Sequence, residues 1–317
     1  MRIASGPRFV GIDVSKDDLF AAVSDGHDVL RFANTAAGIA DAVAWLTGLE
    51  APAVVAFEAT GGFERALWEA LVEAGIDARQ LNPREVRAWR QSRGRHAKTD
   101  PIDAHAIAGL LASRPDAGRR LPEQRRREIN ALLAKRRQLV EARKSLLCQR
   151  RQHHHPVALA MDDDQIELIE NQIDLLNALI EDAIADEPQL ARDAQLLRSI
   201  PGVGPVISAT LLADMPELGT IAGGSAAALA GLAPFADDSG RHHGPRRIRH
   251  GRRHIRALLF QAALAASRFN PDLALFAQRL KQRGKPHKQV ICAVARKLIE
   301  LANSVLRRQS PWLPIPA

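Results

Sequence analysis

The sequence predicts an α/β domain, then a pair of long charged helices, then a mainly α-helical C-terminal domain, and three observations carry that order. Up to residue 81, short β-rich apolar runs alternate with segments of helical period. Residues 119–187 form a basic stretch followed by an acidic one, each with an apolar repeat. From residue 196 the apolar runs reach helix length and are broken by glycine and proline. The 317 residues suffice for two domains and a connector, bounded at 1–117, 118–190 and 191–317.

The elements follow in order. Phe9 to Val14 reads as a buried strand, and Asp17-Asp18 marks a turn into a second, Leu19 to Val23; Val29 to Phe32 is a third. Ala36 to Leu49 is a helix, with Ile39, Val43 and Leu46 at helical spacing. Ala53 to Glu58 is a fourth strand ended by Thr60-Gly61-Gly62, Phe63 to Ala74 a helix, and Ala78 to Leu81 a fifth strand. Strands joined by hairpins and then alternating with helices imply a mixed sheet with helices packed on it.

Asp13 falls inside the first strand and Glu58 at the end of the fourth, each behind apolar residues. A carboxylate buried there needs a hydrogen-bond partner or a cation. In Arg93 to Leu111, RGRHAKTDPIDAHAIAGLL, Asp100 and Asp103 lie three apart and share one helix face. A second reading makes Asp100 an N-cap, Pro101 the first helical residue and Asp103 a charge near the positive end of the dipole. Four carboxylates converging from two strands and a helix cannot all stay ionised without cations. Magnesium or manganese suits such oxygen ligands, and two ions could serve phosphodiester cleavage.

Lysine and arginine number 44 against 36 acids, a net charge of +8, which points to a polyanionic partner. Arg84 to Lys98 holds six basic residues and one acid, and Arg241 to Arg256 seven arginines, four histidines and no acid. Such one-sided segments suit nucleic-acid contact. Cys148 and Cys292 stand far apart without ligand-spaced neighbours, which excludes a disulfide framework or a zinc site. His153-His154-His155 reads as a polar turn, with transition-metal binding as the alternative. No run reaches membrane-spanning length and the N-terminus lacks a cleavable apolar core, so a cytoplasmic protein is expected.

Arg119 to Arg151 carries twelve basic residues and three acids, with leucine pairs at heptad spacing: Leu132-Leu133, Leu139-Val140 and Leu146-Leu147. Met161 to Glu187 carries ten acids and no lysine or arginine, with Ile166, Ile169, Ile173, Leu176 and Ile180 three and four apart. An antiparallel helical coiled coil with complementary flanks follows. Two helices packed on a globular domain are the alternative, and the same seams suit pairing between subunits.

Leu196 to Met215, LLRSIPGVGPVISATLLADM, places Gly202 and Gly204 in a tight turn before an apolar helix. It resembles the hairpin of helix-hairpin-helix modules, whose turn amides contact phosphate, although any interhelical turn can use these residues. Leu229 to Arg256, LAGLAPFADDSGRHHGPRRIRHGRRHIR, sets Ser239 beside the most basic tract. Alone, that serine reads as a turn residue; a nucleophilic serine needs a base or an organised phosphate to activate it. Phe260 to Leu301 reads as two amphipathic helices with basic outer faces, and Pro311 to Ala317 as a loose tail.

GIDVSKDD, FEATGG and AKTDPIDAHAIA resemble the RuvC-like, ribonuclease-H-fold domain of DEDD-type transposases, the IS110 family of insertion sequences and the related Piv invertases. The resemblance implies that Asp13, Glu58, Asp100 and Asp103 are the four metal-binding acids, and Lys98 and Thr99 match the usual approach to the last two. The Ser239 segment is similar to the C-terminal transposase domain of the same family, whose serine precedes a glycine and a basic stretch, which implies that Ser239 is the nucleophile. It departs where the family continues with isoleucine, a basic residue and Gly-Asn or a similar pair; here Arg249-His250-Gly251-Arg252-Arg253 stands. Expected nucleic-acid contacts are Lys98, Gly202, Gly204, Arg246, Arg247, Arg249, Arg252 and Arg253.

The resemblance further implies a bacterial, nucleoid-associated recombinase that needs Mg²⁺ or Mn²⁺ and cuts and rejoins element ends and target DNA through a phosphoseryl intermediate. It implies a homo-oligomer, dimer or tetramer, whose metal site and serine come from different subunits, and a structured noncoding RNA as guide. Two other functions compete: a RuvC-like junction nuclease using metal-activated water, and a nonenzymatic architectural DNA binder, which would leave Asp13 and Glu58 without partners.

Overall fold

The computed structural model describes residues 7–49, 51, 53–94, 99–236, 238–239, 242–244 and 246–314, with backbone alone at 239, 242 and 243. Two compact units emerge, Met1–Leu121 and Pro122–Ala317.

The first unit is built on a mixed sheet. Its strands are β1 (Arg8–Val14), β2 (Asp18–Val23), β3 (Val29–Ala33), β4 (Ala53–Glu58), β5 (Asp77–Leu81) and β6 (Arg119–Arg120), in the order β3-β2-β1-β4-β5-β6. β1, β2 and β3 pair antiparallel, whereas β4 runs parallel to β1 and β5 parallel to β4. β6 closes the edge antiparallel to β5; two adjacent arginines carry no apolar alternation, so the sequence did not announce it.

Alternation along β1 and β4 sorts their side chains onto two faces. Val10, Ile12, Val14, Val55 and Phe57 join one core with the helices α1 (Ala36–Thr47) and α2 (Arg65–Glu73). Ala56, Leu81 and partly buried Phe9 and Val54 join another with α3 (Pro83–Ser92) and α4 (Asp100–Ser113). Gly11 belongs to this second face. A Cβ there would stand 2.2 Å from the Ala104 carbonyl oxygen and 2.4 Å from the Ala108 amide, so only glycine lets α4 lie this close to β1.

In the second unit, α5 (Gln124–Arg150) and α6 (Pro156–Ala185) run antiparallel. Arg136 donates to Asn177 at 2.6 Å, Arg143 to Glu170 at 3.2 Å and Arg150 to Asp163 at 2.8 Å, so each step of seven back along α5 meets a step of seven forward along α6. Ile166, Ile173 and Ile180 bury the seam. The histidine turn between them is tied by His153 Nδ1 to Asp162 at 2.6 Å, and His155 caps α6.

Helices α7 (Pro188–Arg198), α8 (Pro205–Asp214), α9 (Gly223–Leu229), α10 (Arg253–Phe269), α11 (Pro271–Gln282) and α12 (His287–Arg308) complete this core. Three helices, not two, cover the region read as a pair: Asn270 ends α10 and caps α11 with its side chain, and Pro271 starts the new helix. The expected loose tail is also corrected in its first part. The Trp312 amide donates to Ser199 Oγ at 2.7 Å and its ring packs on the core, while residues 315–317 lie outside the described residues.

Candidate functional site

The two strand acids come to one place. Ile12 pairs with Phe57 in the parallel β1–β4 register, so the next step along sets Asp13 beside Glu58 at the strand ends. Asp13 is two residues beyond Gly11 and Glu58 two beyond Ala56, which puts both on the face that α4 covers. Both are half-buried and both have partners.

The turn that follows Glu58 is fixed from within. Gly61 and Gly62 take φ of +81° and +123°, which curls the backbone onto Glu64. That carboxylate accepts from Thr60 Oγ1 at 2.6 Å, the Gly62 amide at 2.9 Å and Gln80 Nε2 at 2.8 Å. Burial pushes the Glu64 carboxyl up, but the bonds from Thr60 and from backbone amides outweigh it and hold it below the usual range. Glu64 therefore stays charged and serves structure, a role that the sequence reading passed over.

Helix α4 begins at Asp100 with Thr99 as N-cap, and no side chain caps it. The alternative with Asp100 as the cap is thus displaced by one residue. Asp100 is exposed, while Asp103 is 8% exposed and held by Arg90 of α3 through Nη1. Lys98, expected next to this pair, lies outside the described residues.

All-oxygen carboxylate donors are the chemistry that Mg²⁺ or Mn²⁺ takes. Asp13 and Glu58 on one face provide two of them, and the Arg90 guanidinium already places positive charge on Asp103. Among the described residues no group of three or more histidine, cysteine, aspartate or glutamate side chains stands close enough to hold a metal as it is.

In the second unit the basic tract is organised by its base. Gly231 and Gly251 have φ of +71° and +67°, and a Cβ on Gly251 would lie 2.2 Å from the Gly231 amide nitrogen, so the two backbones touch. Arg252 N donates to Leu229 O at 2.8 Å alongside. From that clasp rise β7 (Pro234–Phe235) and β10 (Arg247–Ile248), paired antiparallel, and further out β8 (Asp238–Ser239) and β9 (His242–His243). Ser239 pairs with His242 through the backbone; its side chain lies outside the described residues.

The expected nucleic-acid contacts divide. Arg247 and Arg253 are exposed, and so is Arg249, which has a partner. Arg246 pairs with Asp238 at 2.8 Å. Arg252 is committed to Glu217, through Nη1 at 3.0 Å and Nη2 at 2.5 Å. Gly202 has φ of +103° and a Cβ there would meet Ala266 of α10 at 2.6 Å, so packing demands glycine; at Gly204, before α8, the space is open. A cleft of about 800 Å³ gathers Arg246 and Arg247 with Lys285, Lys288 and Arg296 beside Cys292, whose thiol is pushed up by burial. The sequence showed those last cations only as basic helix faces.

Two family models match this chain. One, described as a transposase and named for the DEDD type of IS110, covers residues 10–157, and one described as transposase IS116/IS110/IS902 family covers residues 194–278. The pilin gene-inverting protein of Moraxella bovis is 27% identical over 327 aligned residues, 96% of this chain and 97% of that protein. The namesake protein of Moraxella lacunata is similar to the same extent. The insertion element IS900 uncharacterized 42 kDa protein of Mycobacterium paratuberculosis is 33% identical over 129 residues, 39% of this chain and 32% of its own length.

Proposed function

The chain belongs to the IS110 family of transposases and is a DNA transposase or recombinase, and from that premise we propose that it cuts and rejoins DNA strands by attack of Ser239 on a phosphodiester. The observation that supports this most is the placement of Asp13 and Glu58 side by side on the sheet face that α4 covers, where Asp100 and Asp103 open the helix. The strand order β3-β2-β1-β4-β5 supports reading the first unit as a RuvC-like domain of ribonuclease-H fold.

In this reading Asp13, Glu58, Asp100 and Asp103 hold Mg²⁺ or Mn²⁺, which when bound supplies charge stabilisation at the scissile phosphate. Ser239 Oγ forms a bond to phosphorus, the strand leaves with a free hydroxyl that takes up the serine proton, and the ester bond energy stays in the phosphoserine. A hydroxyl of the receiving strand then reverses the exchange and restores the serine. Arg246, Arg247, Arg249 and Arg253, with Lys98, hold neighbouring phosphates, and the open position at Gly204 suits a helix-hairpin-helix contact.

The α5–α6 pair reads as a coiled coil. Val157, Met161, Leu168, Leu175 and Leu179 form a second, exposed stripe on α6, four or seven residues apart, which supports assembly into a dimer or tetramer. None of the described helices is long and apolar enough to cross a membrane. Guidance by an element-encoded RNA rests on the family resemblance alone.

The test is a denaturing gel of labelled element-end DNA, with and without protease. Wild type gives a protease-sensitive covalent band, and Ser239→Ala binds DNA but gives none. Equal cleavage by both proteins without such a band would replace the serine with a metal-activated water.

A further inference from the structure

A second basic cleft, of about 660 Å³, opens in the first unit between the β2–β3 turn, the end of α3 and the middle of α4. Its chemistry is set by His27, Trp89, Arg90, Arg93 and His105, and among the described residues no carboxylate lines it. Asp25 and Asp28 flank His27 in sequence but stay outside the lining, and Asp103 balances only Arg90.

Arg93 is poised differently from Arg90. Its guanidinium lies 4.6 Å from the centroid of the Trp89 ring, and among the described residues it has no acidic partner. Stacking fixes the plane of a guanidinium without using its five in-plane N–H donors, which remain free for a phosphate. The Trp89 indole N–H has no acceptor among the described residues, although its edge packs where a Gly109 Cβ would lie, 3.1 Å from Nε1. His27 and His105 add imidazole nitrogens. Arg90 reaches the cleft wall from its pair with Asp103, and its buried Nε also has no partner.

We propose that this cleft binds one nucleotide unit of a single nucleic-acid strand, with the phosphate on Arg93 and the sugar and base edge against Trp89, His27 and His105. Its volume exceeds what a bare oxyanion needs and matches a small-molecule site, and a nucleotide can enter only from an unpaired strand. The inference rests on the reading that the protein works on nucleic acid, and it adds a place where an unpaired strand is held. DNA and RNA offer the same phosphate, so both serve as probes.

The full chain is titrated against fluorescein-labelled twelve-residue oligothymidylate and oligouridylate across a salt series, by anisotropy and by tryptophan emission. Only Trp89 of the four tryptophans lines the cleft, so a quench present in wild type is lost in Trp89→Phe. Arg93→Gln weakens binding about tenfold and lowers the salt slope by about 0.7, one single-strand phosphate. Ser113→Glu puts a carboxylate on the cleft lining and weakens it further, while Arg65→Gln, on α2 against the other face of the sheet and outside the cleft, binds as wild type. Loss with one oligomer alone identifies DNA or RNA as the occupant, and loss with both assigns the shared backbone. Wild-type binding by Arg93→Gln and Ser113→Glu, or no binding by wild type, overturns the proposal. A normal Ser239 adduct alongside an unaltered slope would sink the cleft and leave the recombinase standing. An absent adduct with an Arg93-dependent slope would do the reverse.

Discussion

Arg90 of α3 donates to Asp103 in the first turn of α4, with the side chains only 13% and 11% exposed. A carboxylate expected to serve a cation is thus held by a guanidinium. Removing one partner of a buried pair costs about 3–5 kcal/mol, and the slight exposure puts Arg90→Gln at the low end, about 3 kcal/mol. If Asp103 is a metal ligand, Mg²⁺ should restore part of that loss. Thermal unfolding in EDTA and in Mg²⁺ should therefore show a larger upward shift for Arg90→Gln than for wild type; equal shifts would separate Asp103 from the metal.

Asp13→Asn, Glu58→Asn, Asp100→Asn and Asp103→Asn should each lower strand cleavage by about 10²–10³-fold, the scale of losing one element of transition-state charge stabilisation. Circular dichroism should show the fold retained. Cleavage by wild type in excess chelator is the result that would end the metal assignment.

The arginines of the basic tract should not behave alike. Arg247→Ala and Arg253→Ala, exposed in the free protein, should weaken DNA binding across sequences and reduce the duplex salt slope by about one unit each. Arg252→Ala instead leaves Glu217 without its bidentate partner, so its first effect should be a lower unfolding midpoint. A stable Arg252→Ala protein with a reduced salt slope would return that residue to the DNA interface.

Asp77 at the start of β5 carries an acid-sensitive clip. The Arg79 side chain beside it, helped by Arg120 of β6 and opposed by burial, holds its carboxyl down from 3.8 to about 2. A depressed folded value contributes stability above the ordinary range, lost as pH falls from about 4 through about 2. Urea midpoints should drop over that window in wild type and drop less in Asp77→Asn. Parallel curves would show that other carboxylates carry the acid response.

The first five strands of the first unit were legible because apolar runs bounded by turn residues have few other uses, and β4 matches its expected bounds, Ala53–Glu58. Helix α3 was not: only Val86 of Pro83–Ser92 is buried, so no apolar period shows through the charges. Asp13 and Glu58 stood out as acids at the ends of apolar strands. Arg90 could not, because a cation in a basic run reads as solvated until the fold reveals the acid opposite it. The Asn270-Pro271 break was visible in the letters, but continuous amphipathic character on both sides masked it.

The contact of Gly231 with Gly251 has a consequence beyond local packing. Because both feet of the segment are fastened to each other and to α9 and α10, the stretch that carries Ser239 behaves as an insert whose cost of closure is already met at its base. Lengthening such an insert is cheap, about 0.6 kcal/mol for each doubling. The apex can therefore be rewritten residue by residue, retuning what it grips, while the helices beneath keep the same pattern of burial.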